Sequence, residues 1–247
     1  MWRIVTESGC GVSRANEADG QPFPRSGILK RNMNFSLDVL RERLTSVNAT
    51  LYAYVITSIN WDNEHFQQTG CGPNFQGDRI TLCTCKHRMR TLLDTNAWHG
   101  KWVAGFTGIN AVGNRQWNLV CLMQVEQAFE THVQLWNALP ERTRQAKAAN
   151  KHRLGDLYQP KAQSSNPYQP ASYKLPHEAH VHHSDRNPDG WHNDITYSKP
   201  SRHPAALLVG DRHHSFLWDT PLIYAPFPLG IGHRKKTLED LLRIGAE

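Results

Sequence analysis

The sequence predicts an α+β domain with a mostly antiparallel sheet. Three observations carry that expectation. First, short runs rich in β-branched and aromatic residues recur at 51–58 (LYAYVITS), 101–106, 117–125 (WNLVCLMQV) and 205–209, the pattern of buried strands. Second, the runs at 101–106 and 117–125 are joined by a polar connection holding Gly108, Gly113 and Arg115, which reads as a hairpin or meander turn. Third, the apolar period changes to that of a helix at 36–47 and again at 128–138. A chain of 247 residues can bury a sizeable core without disulfides or metal.

Taken in order, residues 1–35 read as an N-terminal extension. They carry Gly9, Gly11, Gly20, Pro22, Pro24 and Gly27 and little periodic apolar content. The remainder, 36–247, reads as one domain. Residues 36–47 predict a short helix with Ser36 as N-cap and Leu37, Leu40 and Leu44 on one face. The strand at 51–58 leads into a long polar loop through Trp61, Asp62 and Gly77, a length typical of binding loops and lids. A short β-like run at 80–85 then precedes a helical turn at 86–93. After the strands at 101–106 and 117–125, Phe129, Val133 and Trp136 mark a helix limited by Pro140. The stretch 141–153 is basic, with Arg142, Arg144, Lys147, Lys151 and Arg153. It is either a solvated face or a patch contacting a phosphate backbone. Residues from about 155 to 200 predict a long loop rich in Pro, Gln, Ser and Tyr. Strands at 205–209 and 215–218 follow, then a terminal helix with Leu238, Leu241 and Leu242.

Lys and Arg total 28 against 22 Asp and Glu, a formal charge of +6, which is compatible with an anionic partner without selecting one. The five cysteines, Cys10, Cys71, Cys83, Cys85 and Cys121, form no recognisable disulfide framework. No apolar run approaches the length of a membrane span. A cytoplasmic, reducing setting without membrane contact is the expectation.

The chemistry gathers on TLCTCKHRMR, residues 81–90. Cys83 and Cys85 are spaced C-x-C, tighter than a zinc half-site, and no matching pair lies nearby. They are expected to pack locally and to position Lys86, His87, Arg88 and Arg90 at the rim of an anion-binding pocket. Residues 177–214 hold eight of the fourteen histidines. His182, His183 and Ser184 there suit a hydrogen-bonding surface for phosphate or base edges. Metal binding and ordinary surface histidines are the competing readings of that region, and no standard metal spacing occurs. Asp211, His182 and His183 are the candidate catalytic groups should the protein act as a hydrolase, with Asp62 a further carboxyl to consider. Trp61 and Trp191 adjoin polar residues and are candidate stacking platforms for a base. Trp102, Trp117 and Trp136 read as core. No phosphate loop or dinucleotide fingerprint is present, and no cofactor or metal is implied.

Several of these stretches together resemble one family. They are LYAYVITS, TLCTCKHRMR, GKWVAGFTG (100–108), NLVCLMQVEQAFETHVQLW (118–136), HHSDRNPDGWHN (182–193) and ALLVGDRHHSFLW (206–218). The chain resembles the nucleotide-modification-associated domain proteins, most closely the second type, over residues 50–220 or so. Matched positions are Cys83, Cys85, Lys86, Arg88, Arg90, Gly100, Trp102, Gly105, Gly108, His182, His183, Ser184 and Asp211. The chain departs from the pattern at His87, where proline is usual, and at His213-His214, where aromatic residues are usual. The resemblance implies bacterial or phage origin and a context of DNA base modification and genome conflict, including phage defence. The element order is also similar to that of the PUA, ASCH and EVE group, which implies a compact PUA-like β-barrel with flanking helices and long functional loops. The function expected is binding of nucleic acid or a modified nucleobase, with DNA or a nucleotide as partner. A hydrolase, glycosylase or nuclease using His and Asp residues is the alternative. A non-catalytic accessory protein that binds a protein partner is a second.

Overall fold

The computed structural model describes residues 23–44, 46–68, 72–148, 156–162, 166–174, 192–230 and 232–243. Its elements are α1 (Gly27–Arg31), α2 (Leu37–Arg43), β1 (Thr50–Val55), β2 (Ile59–Trp61), β3 (Phe66–Gln68), β4 (Thr81–Leu82) and α3 (His87–Arg90). They continue with β5 (Trp102–Phe106), β6 (Leu119–Phe129), α4 (His132–Ala138), α5 (Glu141–Ala148), α6 (His192–Thr196), β7 (Leu207–Leu217), β8 (His233–Thr237) and α7 (Leu238–Leu242).

Six strands form one curled, open sheet in the order β4-β7-β6-β5-β1-β8. Every pairing is antiparallel except β1 with β5. The sheet therefore matches the α+β, mostly antiparallel expectation, whereas among the described residues its order runs from β4 to β8 without closing into a barrel, and Thr81 on β4 bridges to Asn74. β2 and β3 make a separate hairpin. The parallel pair has a topological consequence. Parallel neighbours cannot be joined by a tight turn, so the chain must leave β1 and cross over before entering β5. The crossover is residues 56–101. It runs out to the far edge, where β4 pairs with β7, and it carries residues 81–90 across one face of the sheet.

Strand side chains alternate between faces, and this alternation divides the core. Tyr52, Tyr54, Val103, Val120 and Met123 join Phe66, Phe75, Met89 and Trp98 of the crossover in one cluster. Leu51, Ala53, Trp102, Ala104 and Phe106 point the other way, onto Leu40 of α2 and Leu238 and Leu241 of α7. Each such aliphatic or aromatic side chain contributes ~1.5–3 kcal/mol on burial. Gly105 is required where the first cluster is tightest. A β-carbon there would stand 2.5 Å from Ile56 Cδ1 and 2.8 Å from Cys121 Sγ.

The helix ends follow their sequences. Ser36 Oγ accepts from the Val39 amide, and Thr131 with Gln134 and Thr237 with Asp240 each complete a capping box. Residues 23–35, read from sequence as part of an extension, contribute Phe23 and Leu29 to the core. The Asn34 amide donates to Leu217 O at 2.8 Å.

The two strands expected at 205–209 and 215–218 are a single strand, β7. Met123 of β6 pairs with Ser215 and Val125 with Gly210, so residues 211–214 bulge out of the ladder. Their polar sequence, DRHH, breaks the apolar alternation because these residues leave the sheet. Helices at 36–47 and 128–138 are present but shorter than their apolar patterns, and the terminal helix spans Leu238, Leu241 and Leu242 as expected. The stretch expected as a loop from 155 supplies Leu157, Tyr158 and Tyr173 to the core. No helix among the described residues is long and apolar enough to cross a membrane.

Candidate functional site

Residues 81–90 are held by polar contacts more than by sheet pairing. Only Thr81 and Leu82 join the ladder, opposite Val209 and Leu208. At Cys83 a carboxylate replaces the neighbouring strand: the Cys83 amide donates to Asp156 Oδ1 at 2.8 Å, and Thr81 Oγ1 donates to Asp156 Oδ2 at 2.5 Å. Lys86 turns the chain with φ 57° and ψ 41°, a left-handed conformation that costs a non-glycine residue ~1–2 kcal/mol. Its carbonyl accepts from the Met89 and Arg90 amides at 3.0 and 3.1 Å, which starts α3. Arg90 then folds inward and is fully buried. Nε donates to Cys85 O at 2.8 Å, and Nη1 donates to Ala205 O and Ala206 O at 3.1 and 2.6 Å. It thereby clamps the turn to the start of β7. Nη2 has no partner among the described residues.

Beneath this turn lies a buried polar cluster centred on Asp156. Burial raises its carboxyl pKa to about 6, opposed by Lys147 and by its two donors. Lys147 is itself buried and donates to Asn74 O and Arg79 O at 3.2 and 2.8 Å. A β-carbon on Gly72 would stand 3.4 Å from Asp156 Oδ1, 3.4 Å from Cys85 Sγ and 3.7 Å from Thr84 Oγ1. Tyr54 reaches the same place from β1. Burial, with Cys121, Cys85 and Asp156 close by, drives its phenol pKa well above the ordinary value. The Tyr54 hydroxyl, with the Cys121 thiol against it, finds no partner of hydrogen-bonding geometry, and Thr84 Oγ1 has none either among the described residues. Leaving such a buried group unsatisfied costs ~1–3 kcal/mol each. Cys83, Cys85 and Cys121 are all thiols. Burial pushes Cys83 up and Cys121 to about 12, so these two are inert rather than nucleophilic.

A second network joins α3 to α6. His87 Nε2 lies 3.0 Å from Asp194 Oδ1, and the His87 ring stacks on Tyr197 with centroids 4.7 Å apart. Tyr158 Oη donates to Asp194 Oδ2 at 3.0 Å. The Tyr158 amide donates to His132 Nδ1 at 3.2 Å, which places the His132 proton on Nε2, 3.4 Å from Asp194 O. Burial lowers the His87 pKa, aided by Arg90 and resisted by Asp194, so the ring is neutral near neutral pH. Arg90 feels both Asp194 and Asp156 and so stands between the two networks.

The expected site residues divide accordingly. Cys83, Cys85, Lys86, His87, Arg88 and Arg90 do share one turn, with Arg88 exposed and Lys86 Nζ 5.7 Å from the Tyr54 ring centroid. Trp61 packs edge-on against Phe66 within the β2–β3 hairpin, centroids 5.3 Å apart. Asp62 is fully exposed and caps its loop; the His65 and Glu64 amides hold its carboxyl down at about 2. Arg115 is an exposed loop residue at φ 57°. Gly100 has φ 74°, while Gly108 has open space around it. Trp102 lies on the opposite face of the sheet, its ring edge-on to His214. Asp211 Oδ1 accepts from the His213 and His214 amides at 2.8 Å each and lies 3.0 Å from His214 Nδ1. Burial works against ionisation there, but these donors win and hold the carboxyl below its usual range. Its place is in the bulge. Of the basic run after 140, Lys147 is buried, Arg144 pairs with Glu141 and Arg142 is exposed, while Lys151 and Arg153 lie outside the described residues. His182, His183, Ser184 and Trp191 lie outside the described residues.

The sequence alone passes over Tyr54, Thr84, His132, Asp156 and Tyr158, and reads Lys147 only as one of a basic run. Tyr54 looked like an ordinary strand residue, and Asp156 stood in a stretch without periodicity. The only clue at 156–158 is an acid followed directly by Leu and Tyr. No group of three or more His, Cys, Asp or Glu among the described residues is arranged to hold a metal ion. A scan against protein-family models, a search of curated proteins and a search of solved structures each find no match.

Proposed function

We propose that the protein binds a nucleotide or a modified nucleobase, free or within DNA, at the 81–90 turn. The observation that carries this reading is the buried polar cluster beneath the turn. Tyr54 Oη and Thr84 Oγ1 are without partners beside Asp156, and a polar ligand would supply what the fold leaves unsatisfied. Lys86 and the exposed Arg88 stand at its rim, where cations attract a phosphate. The curled sheet is read as PUA-like, and a place in DNA modification or phage conflict is proposed on the resemblance of TLCTCKHRMR and GKWVAGFTG to that family.

The test is equilibrium binding of mononucleotides and of oligonucleotides with ordinary and modified bases, over a salt series. Affinity should fall with salt, and the double variant Lys86→Ala, Arg88→Ala should weaken binding and flatten the salt dependence. Unchanged affinity in that variant would remove the rim from the reading. A hydrolytic role has one observation in its favour: Asp156, raised to about 6 by burial, retains a protonated fraction near neutral pH and suits a general acid. Base or strand release that disappears in Asp156→Asn would establish that alternative.

A further inference from the structure

Granting that a nucleotide binds at the 81–90 turn, we infer that it belongs to a polynucleotide chain, whose phosphodiesters run from Lys86 along the β8 edge of the sheet to Lys235. The inference rests on the nucleotide-binding reading and narrows it, from a free nucleotide to a nucleic-acid strand.

The register of β8 carries the argument. Its sequence, His233-Arg234-Lys235-Lys236-Thr237, places three adjacent cations on one short strand. Among the described residues β8 ends the sheet order and pairs with β1. Directly opposite residues of such a pair share a face, and successive residues alternate. Lys235 stands opposite Tyr52 and His233 opposite Tyr54, tyrosines that pack on the side of Met89 and Trp98. Arg234 and Lys236 stand opposite Ala53 and Leu51, on the side of α2 and α7. Lys236 Nζ accordingly lies over the Phe227 ring of that second side, 5.1 Å from its centroid. Lys86 belongs to the first side, since its Nζ is 5.7 Å from the Tyr54 ring centroid. Tyr54 thus links the turn to the edge strand. Its ring lies by Lys86, His233 is its partner across the ladder, and Lys235 is two residues, about 7 Å, farther along.

The charge and the backbone of this edge suit phosphodiesters. β1, β5 and β8 contain no acidic residue. Asp94, in the crossover near Trp98, accepts from the Ala97 amide at 2.7 Å. Lys235 is exposed. The Leu238 amide donates to Ala49 O at 2.9 Å. By the alternation of an antiparallel ladder, Lys236 and Arg234 then turn their N–H groups toward β1 and Lys235 turns its own outward. Lys235 therefore offers an ammonium and a peptide N–H from the same residue, both of them groups that position phosphate oxygens. Lysines on a sheet edge also discourage edge-to-edge pairing. That role is indifferent to the face each cation takes, whereas contact with a strand leaving Lys86 requires the face of Lys235. An acidic peptide would match the charge alone; the nucleotide site on the adjoining turn favours a polynucleotide.

The experiment is fluorescence anisotropy of the full chain with a labelled oligonucleotide of about ten nucleotides, over a salt series. Mononucleotides and a glutamate-rich peptide serve as competitors, and single and double strands of equal length tell which form of the phosphodiester chain binds. The oligonucleotide is expected to bind about tenfold or more tightly than a mononucleotide near 0.1 M salt. Each phosphate contact on a single strand adds about 0.7 to the salt slope, so Lys235→Ala should lower oligonucleotide affinity about fivefold at that salt and flatten the slope by about 0.7. It should leave mononucleotide affinity unchanged, and Lys235→Arg should retain oligonucleotide binding. Arg234→Ala and Lys236→Ala, on the other face, should each cost about twofold or less. Denaturation midpoints show whether the variants fold. Equal affinity for mononucleotide and oligonucleotide would overturn the inference and leave the nucleotide-binding reading standing. Equal losses from all three β8 cations would overturn it likewise, as would a peptide that competes as well as the oligonucleotide. Binding of none of the nucleotide probes would overturn both.

Discussion

Asp156 is ionised inside the protein at a cost that pH can expose. Its carboxyl has an ordinary pKa of 3.8 and a folded pKa raised to about 6 by burial. Between these values the folded state holds a proton that the unfolded chain has released. Stability therefore falls as pH rises: the contribution is fully present below the unfolded pKa and is lost by the time pH passes the folded one. The two values differ by roughly two pH units, each worth about 1.4 kcal/mol. The wild-type protein should thus lose ~3 kcal/mol from this one group between about pH 4 and pH 7.5. That is a large share of a typical domain's ~5–15 kcal/mol. His87 works in the opposite direction, since its lowered pKa makes acidification destabilising below the unfolded value of ~6.5. Other titrating groups add their own slopes. Comparison with Asp156→Asn removes the slopes of groups that do not interact with Asp156, because those are common to both proteins. Urea denaturation of the pair at a series of pH values is the assay. The unfolding free energy of the variant minus that of the wild type should move by ~3 kcal/mol in the variant's favour from about pH 4 to pH 7.5. A difference that stays flat with pH would refute the reasoning. It would mean that Lys147, Thr81 and the Cys83 amide stabilise the carboxylate as well as water does.

Three further outcomes follow from the packing. Gly105→Ala should destabilise by ~1–3 kcal/mol through overpacking; adding Ile56→Val, which deletes the Cδ1 atom 2.5 Å from the new β-carbon, should recover part of that loss in denaturation midpoints. Lys86→Gly should keep or raise stability, by up to ~1 kcal/mol, because glycine adopts the left-handed turn without strain; the same variant should bind nucleotides more weakly. Asp211→Ala should cost ~1–3 kcal/mol by freeing the amides of the bulge yet leave nucleotide affinity unchanged, and a selective loss of affinity would instead place Asp211 in the site.

Local features were legible in the residues themselves. The alternation of LYAYV, the apolar runs at 102–106 and 119–125, and the cap Ser36 are signals written over a few neighbouring positions. Strands and helices respond to just those spacings. The turn at 81–90 was visible for a related reason: its cysteines and cations are contiguous. The bulge at 211–214 was half visible, since four polar residues marked the break but not the continuity of the strand across it.

The rest depended on the chain's path. Nothing near Leu51 or Trp102 states that β1 and β5 run parallel, and it is that pairing which sends residues 56–101 out to the far edge of the sheet and back. The crossover lays Thr84 and Cys85 beside Tyr54. Asp156 and Asp194 are delivered to the same turn from stretches whose own sequences show no periodicity. Burial then changes their chemistry, because a carboxyl's pKa is set by the water and charges around it rather than by its neighbours in sequence. The sequence by itself determined the mixed class, the strands β1, β5 and β6 and the basic turn; only the tertiary structure decided which polar groups would be buried together beneath it.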